Sequence, residues 1–117
     1  MPTIKHFEDI RAWQTAREIT NLAYQMTSKG SFAKDFGLRD QIRRAASSVM
    51  SNIAEGFDAG SDAEFTRFLS YSRRSASEVQ SQLQTALDQN HILQDIFNEA
   101  YKKAETTKKQ INGLSDI

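Results

Sequence analysis

The sequence contains no cysteine, a single proline and only five glycines among its 117 residues. The absence of cysteine excludes disulfide frameworks, zinc ribbons, iron–sulfur clusters and thiol nucleophiles. No stretch approaches the roughly 18 apolar residues that a membrane span needs. The first ten residues carry two acids and lack the apolar run of a signal peptide. We therefore expect a soluble, cytoplasmic protein.

The sequence also has no net charge, because 15 Lys and Arg residues balance 15 Asp and Glu residues. A uniformly basic nucleic-acid-binding protein is therefore not expected, although a local basic patch stays open. Hydrophobic residues make up 38% of the chain and charged residues 26%, which is typical of a globular protein and not of a disordered one. A chain of 117 residues corresponds to one domain, residues 1–117.

Apolar residues recur at helical spacing in four segments, approximately 7–29, 38–55, 62–89 and 93–113. Between them, residues 30–37 and 56–60 are predicted as loops, because each of these two stretches begins and ends with a glycine. Ser61 and Glu64 form the capping-box pattern of a helix start, and a regular alternation of four- and three-residue spacings follows. That spacing is the period of helices packed at about 20°. The pattern predicts an all-α, antiparallel up-down-up-down four-helix bundle.

Large apolar residues flank the predicted seams of the third and fourth helices. They are Phe68, Leu87, Ile96 and Tyr101. Side chains of this size outside a seam favour burial against another molecule, and a second copy of the protein is the simplest partner. Singly exposed apolar residues are also common on monomers. We expect a homo-oligomer with these residues in its interface.

Histidine occurs only at positions 6 and 91, which limits metal and nucleophile chemistry. A di-iron bundle needs Glu-x-x-His on two helices, and the sequence has none. Asp88 and His91 have that spacing with the wrong acid, and we interpret them as helix-end or solvent-facing residues. The many serines between positions 47 and 81 have no histidine near them in sequence to act as a base. We expect no enzymatic activity, no metal and no cofactor.

A polar motif of Asn52, Glu55 and Gly56 falls near the end of the second predicted helix. One interpretation is a helix C-terminus with Gly56 as its left-handed cap. The other is a buried pair of Asn52 and Glu55 that fixes the helix register, with a nearby arginine neutralising the acid. The sequence leaves both interpretations open.

Arginines and one tyrosine interleave on the second and third predicted helices. The set is Arg39, Arg43, Arg44, Arg67, Tyr71, Arg73 and Arg74. Such a patch holds phosphates and stacks bases in some nucleic-acid-binding proteins. Its arginines can equally pair with acids of the same two helices, which is the simpler interpretation. We keep this patch as the candidate surface for nucleic acid or a protein partner.

The segments Gln41–Ser48 and Ser51–Gly56 resemble the signature of the bacterial four-helix bundle family encoded in 23S rRNA intervening sequences. Further similar segments are Trp13–Ala16, Phe36–Leu38, Glu64–Leu69 and Ser75–Leu83. The resemblance implies a homo-oligomeric ring, typically a pentamer, in a bacterial cytoplasm. We predict a non-enzymatic, self-associating bundle with a scaffolding or binding role. Some relatives are accessory proteins of diversity-generating retroelements that bind nucleic acid and a reverse transcriptase. They imply an alternative function for this chain, as a nucleic-acid-binding accessory protein that acts with a reverse transcriptase or RNA. The resemblance carries over no catalytic residues.

Overall fold

Four long helices and one short helix make up most of residues 4–115, the part of the chain that the computed structural model describes. They are α1 (Arg11–Met26), α2 (Gly30–Lys34), α3 (Phe36–Asp58), α4 (Asp62–Asp88) and α5 (Gln94–Ser115), preceded by a 3-10 turn at Phe7–Asp9. α3 packs against α1 and α4, and α5 packs against α4 and α1. The predicted four-helix bundle is confirmed, with extents of 45 × 22 × 19 Å. None of the helices within residues 4–115 is long and apolar enough to cross a bilayer.

The predicted loop over residues 30–37 is wrong in part, because it contains α2 and the start of α3. Asp35 caps α3, since its carboxylate accepts a hydrogen bond from the Leu38 N–H at 3.3 Å. This cap allows Phe36 and Gly37 to be helical. Phe32 of α2 is fully buried in the core, so α2 closes this end of the bundle.

Local hydrogen bonds determine where α4 starts and where it ends. The Ser61 hydroxyl accepts from the Glu64 N–H at 3.2 Å, as the predicted cap requires. At the other end, Asn90 has a φ of 61°, and the His91 N–H donates to the Ala86 carbonyl at 2.9 Å. These are the features of a Schellman turn, which ends the helix and places His91 immediately after it.

Gly56 is not a helix cap, contrary to one interpretation of its motif. It lies inside α3, which continues to Asp58, and it is buried. A Cβ atom at this position would lie 2.6 Å from the Cβ of Phe68. The residue with left-handed backbone in the connection from α3 to α4 is Gly60, whose φ is 88°. The cap interpretation is wrong because Gly56 provides a close approach of α4 to α3 and not a turn.

The core consists of two clusters, one toward each end of the bundle, and many of their residues are alanines. Short side chains let α3 and α4 approach closely, so that the buried Ser72 hydroxyl donates to the Val49 carbonyl at 2.7 Å. The fourth predicted segment corresponds to α5, and its apolar seam is confirmed from Phe97 to Ile111, which are both buried. Leu93, predicted at the start of that seam, is 74% exposed because it precedes the helix in non-helical backbone.

Candidate functional site

The outer surface shared by α3 and α4 carries part of the predicted arginine patch. We call it the α3/α4 face. Three adjoining depressions of about 500, 400 and 300 Å³ run along it. Its polar lining is Tyr24, Asp40, Gln41, Arg43, Arg44, Ser47, Ser48, Asn52, Tyr71, Arg74, Ser75, Glu78 and Gln82.

The floor of the α3/α4 face is made of short side chains that join the two helices. The hydroxyls of Ser48 and Ser75 lie 3.0 Å apart. The Asn52 amide donates to the Ser48 carbonyl at 2.9 Å and to the Ser48 hydroxyl at 3.0 Å. Glu55 is exposed, one turn further along α3. The second interpretation of the motif, a buried pair of Asn52 and Glu55, is therefore wrong, because the Asn52 amide bonds to Ser48 while the exposed Glu55 carboxylate lies in solvent.

Two arginines, Arg44 on α3 and Arg74 on α4, form the walls of the α3/α4 face. Neither guanidinium has a carboxylate within ion-pair distance anywhere in the described chain. Glu78 lines one depression with Arg44 and another with Arg74, so both signs of charge meet in one groove. The guanidinium carbon of Arg74 also lies 5.9 Å from the centre of the Tyr71 ring, which is a cation–π distance.

Gln82 lies at one end of the same groove with its side-chain carbonyl oxygen buried. Within residues 4–115 this oxygen has no hydrogen-bond partner. A buried acceptor without a donor costs about 1–3 kcal/mol.

Arg39 and Arg43, at the beginning of α3, are held within the chain. Arg43 Nε donates to the buried Thr27 hydroxyl at 2.7 Å, and its guanidinium lies 4.6 Å from the centre of the exposed Tyr24 ring. Arg39 pairs with Asp40 at 2.9 Å. Arg43 thus contributes a fixed positive charge to the edge of the α3/α4 face.

The remaining two arginines of the predicted patch do not line the groove. Arg67 pairs with Glu64 at 2.6 Å, and this hydrogen bond raises the pKa of the guanidinium. Arg73 donates to the Asn112 side chain on α5 at 3.1 Å. Internal pairing, the simpler interpretation of the sequence, is therefore correct for Arg39 and Arg67 but not for Arg44 and Arg74.

The predicted interface residues are only partly free for a partner. Three of them are half-buried and pack against the core cluster of their own chain that contains Phe32 and Phe97; they are Leu87, Ile96 and Tyr101. Phe68 is half-buried at the Gly56 contact, with its ring centre 5.9 Å from that of Tyr71. Of the four, we place only Phe68 beside the α3/α4 face.

Ser31, Asp35 and His91 form a second polar group, at the end of the bundle where α2 joins α3. His91 Nδ1 lies 2.8 Å from the Ser31 hydroxyl, and His91 Nε2 lies 3.0 Å from the Asp35 carboxylate. The hydrogen bond with His91 lowers the pKa of the Asp35 carboxyl, and the bond from the Leu38 N–H adds to this effect. Sequence reasoning missed this group because 56 and 60 positions separate His91 from its two partners.

The comparisons with known proteins agree with this fold. The family model of the 23S rRNA-intervening sequence protein matches residues 8–113. A crystal structure of a protein of unknown function from the S23 ribosomal protein family of Bacteroides thetaiotaomicron has a similar fold, with a TM-score of 0.77 and 22% identity. The similarity covers 91% of this chain and 95% of that chain. No curated protein matches. The chain belongs to the 23S rRNA-intervening sequence protein family.

Proposed function

We propose that this protein is a scaffold or binding module that assembles with copies of itself through the α3/α4 face. The observation that carries the proposal is the pair Arg44 and Arg74, which lie without an ion pair in the described chain beside Glu78. A surface with both charge signs in one groove is complementary to itself, because the arginines of one copy can meet the acid of another. Such complementarity sets the register of an interface and disfavours other partners.

A further feature of the α3/α4 face supports a protein partner. Tyrosine and arginine are enriched among the residues that dominate interface energies, and Tyr71 and Arg74 are adjacent here. A face that pairs with itself joins two copies about a two-fold axis, so the ring of five copies in the bacterial cytoplasm that the family resemblance implies would need a second, head-to-tail contact between copies. This role requires no catalysis at the α3/α4 face.

The experiment measures the mass of the full chain by light scattering coupled to size exclusion, at micromolar concentration. We expect a particle several times the 13.3 kDa chain mass. Arg74→Glu should shift it toward the monomer, whereas Lys102→Glu, at an exposed position on α5, should leave the mass unchanged. Combining Arg74→Glu with Glu78→Arg restores one charge of each sign and should recover the assembly. A monomeric parent chain, or an Arg74→Glu variant of unchanged mass, would contradict the proposal.

A second candidate function is nucleic-acid binding at the same face, as an accessory protein acting with RNA or a reverse transcriptase. It is favoured by Tyr71, which lies between the guanidinium groups of Arg67 and Arg74 at 5.8 and 5.9 Å. Glu78 in the groove opposes a phosphate chain, so we expect only weak binding that is lost by roughly 0.2 M salt. Replacing Arg43 and Arg74 together should reduce it. Tight binding that survives this salt would make nucleic acid the preferred partner.

A further inference from the structure

We propose that Ser31 is an activated nucleophile that accepts acyl groups from carboxylic esters, with His91 as its base and Asp35 as a positioning residue. This group lies at the α2 end of the bundle, outside the α3/α4 face, and the inference does not depend on self-association. It also goes beyond the expectation, drawn from the sequence, that the chain has no enzymatic activity.

The hydrogen bonds set the direction of proton transfer. Asp35 lies 3.0 Å from His91 Nε2, and as a carboxylate it only accepts hydrogen bonds. In the neutral imidazole the proton therefore stays on Nε2, and Nδ1 is the acceptor for the Ser31 hydroxyl 2.8 Å away. A hydroxyl bonded to a base that a third group orients is the arrangement of an activated serine nucleophile.

The imidazole of His91 is held in place from several sides. Its ring stacks on the buried Phe32 ring at a centre-to-centre distance of 5.0 Å. Its backbone N–H is fixed to the Ala86 carbonyl by the Schellman turn. Only 11% of its side chain is exposed, whereas Ser31 is exposed and accessible to a substrate. The base is thus positioned before any ligand binds.

A cavity beside this group indicates the class of substrate. It has a volume of about 690 Å³, and both His91 and Gly30, the residue before Ser31, line it. The apolar part of its lining is Leu22, Met26, Ile92, Leu93 and Ile96. This lining suits an apolar acyl chain, whose carbonyl carbon would then lie beside the Ser31 hydroxyl. The substrate class is therefore esters of aliphatic carboxylic acids.

The reaction needs no redox partner. Ser31 Oγ attacks the ester carbonyl carbon while its proton passes to His91 Nδ1. The bond from that carbon to the alcohol oxygen breaks, and the alcohol leaves with the proton from Nδ1. Water then attacks acyl-Ser31, Nδ1 takes and returns its proton, and the free acid leaves with Ser31 restored. The Asp35 carboxylate stabilises the imidazolium at Nε2 in both steps.

The test combines covalent labelling with ester turnover on the full chain. Intact-mass spectrometry after incubation with a fluorophosphonate probe should show one probe molecule per chain, attached to Ser31. Hydrolysis of p-nitrophenyl butyrate should exceed the buffer rate, with a lower KM than for the acetate. Ser31→Ala should abolish labelling and turnover. The matched control Ser28→Ala removes an exposed hydroxyl that bonds only to the Gln25 carbonyl within residues 4–115, and it should change neither.

Asp35→Asn tests the positioning role without removing the helix cap, since asparagine caps helices as well as aspartate does. We expect kcat to fall by about 10²-fold or more, while KM stays unchanged and the melting temperature at pH 7 falls only slightly. A parent chain labelled no more than Ser31→Ala would overturn the proposal. An Asp35→Asn variant with unchanged kcat would also overturn it, because His91 would then not be acting as an oriented base.

Discussion

Replacing Gly56 by alanine adds one methyl group at a point where α3 and α4 approach each other closely. The new Cβ would lie 2.6 Å from the Cβ of Phe68 and 3.1 Å from a ring carbon of Phe65. The Cβ of Phe68 is fixed to the backbone of α4, so no side-chain rotation relieves the first contact. The two helices must instead separate by several tenths of an ångström along their closest packing.

The expected change in the free energy of unfolding of Gly56→Ala is the balance of two opposing effects. Overpacking a well-packed core costs typically about 1–3 kcal/mol. Alanine in a helix interior gains about 1 kcal/mol over glycine through backbone entropy. We expect the steric term to exceed the gain, so Gly56→Ala should lower the free energy of unfolding by on the order of 1 kcal/mol. For a domain of this size the melting temperature would fall by about 4 °C.

Gly113 provides a matched control on α5. An added Cβ there meets nothing within 4 Å, so only the helix-propensity gain remains. Gly113→Ala should therefore be neutral or stabilising by up to about 1 kcal/mol. Both variants are melted at one protein concentration, because the proposed self-association would make the midpoint concentration-dependent. If Gly56→Ala were as stable as Gly113→Ala, the close approach of α3 and α4 at Gly56 would be refuted.

Two further predictions concern carboxylates. Glu55→Ala should change the free energy of unfolding by less than about 0.5 kcal/mol, because Glu55 is exposed. A loss above about 1 kcal/mol in the same melting assay would contradict this and would support a buried pair of Asn52 and Glu55. The lowered pKa of Asp35 means that its stabilising effect is fully present above the ordinary carboxyl value of 3.8 and is lost as pH falls through the lower folded value. The fall in melting temperature from pH 7 to pH 2.5 should therefore be smaller in Asp35→Asn than in the parent, and an equal fall would contradict this assignment.

The parts of the fold that local sequence determines were predictable. α4 was predicted over residues 62–89 and runs from Asp62 to Asp88, because a serine cap and a regular apolar spacing act within a few residues of each other. Gly56 was misinterpreted because a glycine required by a neighbouring helix looks the same in sequence as one required by a turn. The relevant neighbour, Phe68, comes from the next helix, and only the packed structure brings the two together.

The residue types of the candidate site could be predicted from the sequence, but the side chains that each of them contacts could not. Arg73 and Arg74 are adjacent in sequence, yet successive helical residues point about 100° apart. Arg73 therefore reaches Asn112 on α5, while Arg74 lines the α3/α4 face. The Ser31, Asp35 and His91 group depends on the contact of α2 with His91, which follows the end of α4, and no short sequence motif signals that contact.

The two proposed sites share α3, since Asp35 caps its start and Arg44 lies on the α3/α4 face. These positions are nine residue steps apart, which corresponds to roughly 14 Å at the helical rise of 1.5 Å per residue. Because asparagine preserves the cap, Asp35→Asn leaves α3 in place and should affect ester turnover without changing the mass of the assembly. Arg74→Glu should do the reverse. If either substitution altered both readouts, the α2 end of the bundle and the α3/α4 face would be coupled through the position of α3.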